Sequence, residues 1–144
     1  MKKLTLLITL LLLSTVALFA KGGVDFCEGT LDEVKEKAAA EQKYLFIELY
    51  ATWCPPCRIM DRTLQDEEVG EFINSRFVSA RYDVDKATGA LLAQTNGVRS
   101  IPTCLVLNGD GEVVGRIVGA NSPDKFIAGM RRLLANASKA AEKE

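Results

Sequence analysis

The 144-residue sequence contains no histidine. Ser-His-Asp and Cys-His catalysis, imidazole metal ligation and a histidine pH switch are excluded with it. No charge of either sign is in excess: 18 Lys and Arg stand against 19 Asp and Glu, a net charge of −1. No basic surplus is available for phosphate backbones, so nucleic acid is not an expected partner. No internal repeat and no linker divides the chain. At 48% hydrophobic residues it is too apolar for a disordered polymer and has the size of one ordinary domain. What remains with chemical reach is four cysteines, Cys27, Cys54, Cys57 and Cys104.

The first segment reads as an address. Lys2 and Lys3 precede an apolar run over residues 4–19, broken only by Thr5, Thr9, Ser14 and Thr15, and Ala20 offers a small residue for cleavage. This is the build of a secretory signal peptide over residues 1–20, leaving a domain over 21–144. A cut after Ala17 is the other option. The run is shorter than the roughly 20 residues that span a bilayer comfortably, which leaves an uncleaved membrane anchor as the alternative. Cleavage removes Lys2 and Lys3 and takes the net charge to −3. The expected location is periplasmic or otherwise exported, where disulfides persist.

Hydrophobic periodicity gives an element order. Residues 22–27 read as a lead-in or edge strand. Thr30 and Glu33 have capping-box spacing, and Leu31, Val34 and Ala38 follow at helical intervals, so a helix is expected over 30–42. The run 44–50 reads as a strand buried on both faces. A helix starting near Pro56 carries Ile59, Met60 and Leu64, and a second piece after Asp66 carries Val69, Phe72 and Ile73. A strand over 77–84, a helix over 87–94 and a strand over 103–107 come next. Asn108-Gly109-Asp110-Gly111 has turn chemistry, so 112–118 reads as the return strand of a hairpin. Ser122-Pro123 opens a final helix on Phe126, Ile127, Met130, Leu133 and Leu134, expected to fray from about residue 137. Alternation at the front and a hairpin at the back predict an α/β fold, a central mixed sheet flanked by helices on both faces.

Cys54 and Cys57, two residues apart, can close a small disulfide. Between a strand and a helix start, Cys54 lies beside unpaired backbone N–H groups whose dipoles favour a thiolate. Pro55 and Pro56 donate no N–H, so the amides of Cys57 and beyond must serve. Cys54, at the exposed end, is the expected attacking thiol, and Cys57, one turn inward, resolves the mixed disulfide. The redox-active pair needs no cofactor. A zinc knuckle requires a second Cys or His pair, which is absent, and no metal is expected. Haem attachment requires a His where Arg58 stands. An inert structural disulfide is the plain alternative. Glu48 lies inside the apolar strand six residues before Cys54. An unpaired buried carboxylate is costly and its pKa rises, unless it pairs with Arg81 on the neighbouring strand.

The sequence resembles the thioredoxin family over residues 31 to 134. The resemblance rests on Ala51-Thr52-Trp53-Cys54-Pro55-Pro56-Cys57, on Ile101-Pro102-Thr103, and on the element order. It looks most like envelope thioredoxin-like proteins, including the soluble thiol-exchange domains of periplasmic disulfide reductases. The resemblance implies the thioredoxin fold and protein-disulfide oxidoreductase activity, with Cys54, Cys57 and Glu48 as catalytic residues. Glu48 falls where the family usually carries an acid that helps move a proton at the inner cysteine, and Arg81 falls where it often carries Lys. Pro102 matches the family's cis-proline, its alternative being an ordinary turn proline, and Trp53 matches the aromatic residue before the first cysteine. Trp53, Ile101 and Pro102 are the expected substrate-binding residues.

Cys104 reads as a small core residue, and Cys27 as the same or as a reactive thiol. The family's strand order sets them about three strand spacings apart, roughly 14 Å. A disulfide needs Cα atoms within about 7 Å, so no bridge is expected between them. The function expected is an exported enzyme that reduces or exchanges disulfides in client proteins. Its electron donor is expected to be a membrane thiol-transfer protein, and the chain itself a monomer. The alternative is a non-catalytic module that holds extended peptide near Trp53 and Pro102.

Overall fold

The apolar run at residues 44–50 forms strand β1 (Tyr44–Tyr50), with its five inner residues buried. It pairs in parallel with β2 (Phe77–Asp83) and antiparallel with β3 (Thr103–Leu107). β4 (Val113–Val118) runs antiparallel to β3, and the sheet order is β2-β1-β3-β4. A central strand covered on both faces has no position open to water, which is why its sequence does not alternate. The computed structural model describes residues 22–141. The expected signal peptide, residues 1–20, lies outside the described residues. Among the described residues no helix is long and apolar enough to cross a membrane.

Among the described residues five helices cover the sheet: α1 (Leu31–Ala40), α2 (Pro55–Leu64), α3 (Glu67–Asn74), α4 (Ala87–Thr95) and α5 (Pro123–Ala141). Alternate residues of β1 divide the core between two faces. Leu45, Ile47 and Leu49 pack with Val34 and Ala38 of α1 and Leu92 of α4. Phe46 packs with Met60 and Leu64 of α2, Val69, Phe72 and Ile73 of α3, and Phe126 and Met130 of α5. Glu48, two residues beyond Phe46, points to the second face, beneath α2. The mixed sheet with helices on both faces is the fold class that the element order implied.

The helix starts follow their caps. The Glu33 N–H donates to Thr30 Oγ1 at 3.3 Å and the Thr30 N–H to Glu33 Oε2 at 2.7 Å, closing the capping box. Asp66 Oδ1 accepts from the N–H groups of Glu68 and Val69 and opens α3. α1 ends before the expected residue 42 because Gln42 takes a positive φ of 53° to turn the chain into β1.

One expectation is corrected. The lead-in is not a strand, since Phe26 makes a single parallel bridge to Ser79. The Cys27 N–H donates to Ser79 O at 2.8 Å, but ahead of it the backbone bonds go elsewhere: the Val24 N–H donates to Leu64 O at 2.7 Å, and the Asp25 N–H to the Asn74 side chain at 2.9 Å. The final helix runs to Ala141, through the residues from 137 on where fraying is expected. Ala135, Ala137 and Ala140 are good helix formers, so the polar tail continues the ladder without needing a buried face.

Candidate active site

The chain leaves β1 at Tyr50 and reaches α2 within four residues. Cys54 is the N-cap of α2, with extended backbone at φ −86° and ψ 110°. Pro55 and Pro56 fill the first two helical positions, so the first available amide is that of Cys57. That N–H donates to Cys54 Sγ at 3.2 Å. The two cysteines are disulfide-bonded, with Cα atoms 5.3 Å apart. Sulfur thus occupies the position where an N-cap oxygen normally sits, at the positive end of the helix dipole.

The expectation of an exposed outer thiol is not met. Cys54 is 2% exposed and Cys57 1%. The N-cap geometry turns Sγ back over the helix start, and Tyr50, Ala51, Val84 and Ile101 pack round the pair. Trp53 instead takes the surface, at 64% exposure. Its indole Nε1–H donates to Asp85 Oδ2 at 2.7 Å, which ties the ring to the end of β2.

Across from the disulfide lies the turn before β3. The Ile101–Pro102 peptide bond is cis. The Ile101 carbonyl oxygen is 3.8 Å from Cys54 Sγ. Pro102 O accepts from the Gly119 N–H at 2.8 Å, which pins this turn to the end of β4. Trp53, beside Cys54, and the Ile101–Pro102 turn therefore meet at the disulfide from two separate stretches of chain.

Beneath α2, Glu48 is wholly buried between Arg81 on β2 and Cys104 on β3. Burial pushes its carboxyl up to about 7, opposed by Arg81 and reinforced by the negative charge of Asp61. Arg81 Nη2 stands 3.1 Å from Glu48 Oε2 and donates to Asp61 Oδ1 at 2.6 Å. Neither oxygen of Glu48 receives an aligned hydrogen bond, so the 3.1 Å contact is an ion pair without one. The guanidinium lies 4.2 Å from the Tyr50 ring centroid and 5.2 Å from that of Phe26. The two readings of Glu48, partner of Arg81 and carboxyl that holds a proton near neutrality, are compatible in this geometry.

Cys27 and Cys104 are both free. β2 and β1 lie between the Phe26 bridge and β3, as the spacing argument required. Cys104 is buried, and burial with the nearby Glu48 pushes its thiol well up. The Lys37 Nζ donates to Cys27 Sγ at 3.2 Å, away from the disulfide. Two site residues were missed in the sequence, Asp61 and Asp85. Asp61 follows Cys57 by four residues, the helical spacing that places both on one side. Asp85 carried no comparable signal, because its contact with Trp53 depends on where β2 ends.

Comparison with known proteins agrees with this geometry. The sequence model described as a thioredoxin-like domain matches residues 31–134. Thioredoxin H4 of Arabidopsis thaliana is 34% identical over 89 residues, covering 62% of this chain and 71% of that protein. Across it and two further thioredoxins, the chain spans 47% to 71% of their own length. The solution structure of a thioredoxin from Thermus thermophilus aligns with a TM-score of 0.69 at 26% identity, over 77% of this chain and 88% of that one. The crystal structure of the Neisseria meningitidis DsbD C-terminal domain in the oxidised form aligns with a TM-score of 0.61 at 25% identity, over 76% of this chain and 97% of that one.

Proposed function

The chain belongs to the thioredoxin-like domain family and is a protein-disulfide oxidoreductase, and on that premise we propose that it is exported and reduces or exchanges disulfides in client proteins. The observation that carries this reading is the Cys54–Cys57 disulfide at the start of α2, with the Cys57 amide on Cys54 Sγ. In the reduced protein that amide and the helix dipole favour the Cys54 thiolate. The thiolate attacks one sulfur of a client disulfide, forms a mixed disulfide and expels the other client sulfur as a thiolate. Cys57 then attacks Cys54 Sγ, closes the pair and releases the second client thiolate. Two electrons pass to the client, and a dithiol donor must return them.

Glu48 accepts the Cys57 proton in the second step, directly or through water. A carboxyl that titrates near neutrality suits this task, since it is neither fully charged nor fully protonated at working pH. Trp53, Ile101 and Pro102 bind the extended client segment beside the sulfur. Export is supported by the charged start, apolar run and Ala20 of residues 1–20, and by the likeness to a DsbD domain. The same likeness supports a membrane thiol-transfer protein as electron donor.

Cys57→Ser tests the reading. The variant lacks the resolving sulfur and accumulates Cys54–client mixed disulfides, visible as dithiothreitol-sensitive adducts on non-reducing gels. Adducts that persist when Cys54 is also replaced contradict the assignment.

A further inference from the structure

One guanidinium nitrogen serves two carboxylates beneath α2. Arg81 Nη2 gives its short, aligned hydrogen bond to Asp61, at 2.6 Å, and only an unaligned 3.1 Å contact to Glu48. Asp61 is partly open to solvent, whereas Glu48 is wholly buried. Arg81 Nε also lacks an acceptor. For Glu48 alone this is a poor arrangement, because a buried carboxylate gains most from a two-pronged, hydrogen-bonded guanidinium. The fork of Arg81 that could improve it is oriented by its bond to the other carboxylate, which leaves Nε–H without an acceptor and Nη2 unaligned with Glu48. We propose that Asp61 is a positioning residue for the exchange reaction: by holding Arg81 Nη2 at the outer end of the cluster, it leaves Glu48 short of hydrogen bonds and able to take up and release a proton.

This deepens, and rests on, the reading of Glu48 as proton acceptor for Cys57. In that step the Cys57 proton passes to the Glu48 carboxylate, and a bond forms between the Cys57 and Cys54 sulfurs. The bond from Cys54 to the client sulfur breaks, and its electron pair leaves with the client thiolate. Glu48 then returns the proton to water or to that thiolate.

The titratable and charged groups that face Glu48 are Arg81 on β2, Cys104 on β3 and Asp61 on α2, with Tyr50 on its own strand beyond Arg81. Cys104 holds its proton through the neutral range because burial pushes its thiol up. In the oxidised protein neither Cys54 nor Cys57 titrates. Loss of the Asp61 charge acts on Glu48 twice in one direction. It removes a repulsion that disfavours the Glu48 anion, and it weakens the hold on Arg81, which can then turn toward that anion.

The test is a carboxyl 13C NMR titration of Glu48 in the oxidised full-length protein, for the parent, Asp61→Asn and Asp61→Glu. The rate of client release is followed across the same pH range. The proposal expects the Glu48 midpoint to fall by about one pH unit in Asp61→Asn. The acid limb of the rate profile falls with it, and Asp61→Glu restores both. A midpoint that does not move in Asp61→Asn overturns the control of Glu48 by Asp61. A midpoint that moves while the rate profile stays fixed overturns the role of Glu48 in exchange, and with it any role of Asp61 in the reaction.

Discussion

Cys54 and Glu48 place reactive groups where burial works against charge. The Cys54 sulfur is compensated by the Cys57 amide and the start of α2, while Glu48 has an ion pair that lacks hydrogen bonds. Glu48→Gln keeps the shape and removes the proposed proton acceptor, so it should slow the second, client-releasing step on the order of a hundredfold. The initial attack by Cys54 should change little, and rapid-quench analysis of the mixed disulfide separates the two steps. Glu48 was legible in the sequence because a carboxylate inside an apolar strand has few bland explanations, and Arg81 because the strands on which both lie are neighbours. Asp61 was not legible: a charged residue on a helix normally faces water, and its orientation depends on how α2 lies across β2. The burial of Cys54 was also hidden, since a turn of prolines reads as surface.

At the scale of elements, the helix starts are set by local chemistry and their docking by close approach. Thr30→Ala breaks the capping box and should cost about 1 kcal/mol in urea denaturation. Gly89 in α4 reverses an ordinary rule. Replacing helical Gly by Ala usually stabilises by up to about 1 kcal/mol. Here an added Cβ would lie 2.5 Å from the Asp83 carbonyl carbon and 3.0 Å from the Val84 nitrogen, both backbone atoms that cannot swing aside. Gly89→Ala should therefore destabilise by roughly 1–3 kcal/mol, measured by the same denaturation. β1 and β3 were legible to the residue, because their apolar runs end at turns, at cis-proline or at charge. The lead-in was not, because its backbone bonds go to Leu64 and Asn74, residues about 40 to 50 positions away in sequence.

For the whole molecule, Glu48 links stability to pH. Its carboxyl titrates at about 7 in the fold, against an ordinary value of 4.5. Between these values the folded protein holds a proton that the unfolded chain releases. The associated stabilisation is complete below the ordinary value and is lost as pH rises through about 7. Its upper size is roughly 3 kcal/mol, and it should vanish in Glu48→Gln. Urea midpoints measured across this window, falling with rising pH in the parent and level in the variant, check it. The architecture was legible as a whole because parallel and hairpin signals sit in separate halves of the chain.

The central claim is that the Cys54–Cys57 pair passes electrons to disulfides in other proteins. Insulin-disulfide reduction with dithiothreitol as donor tests it most directly. The intact protein should accelerate precipitation of the insulin B chain, and Cys54→Ser should return the rate to that of dithiothreitol alone. An intact protein that gives no acceleration, or a Cys54→Ser variant as fast as the parent, would contradict the account.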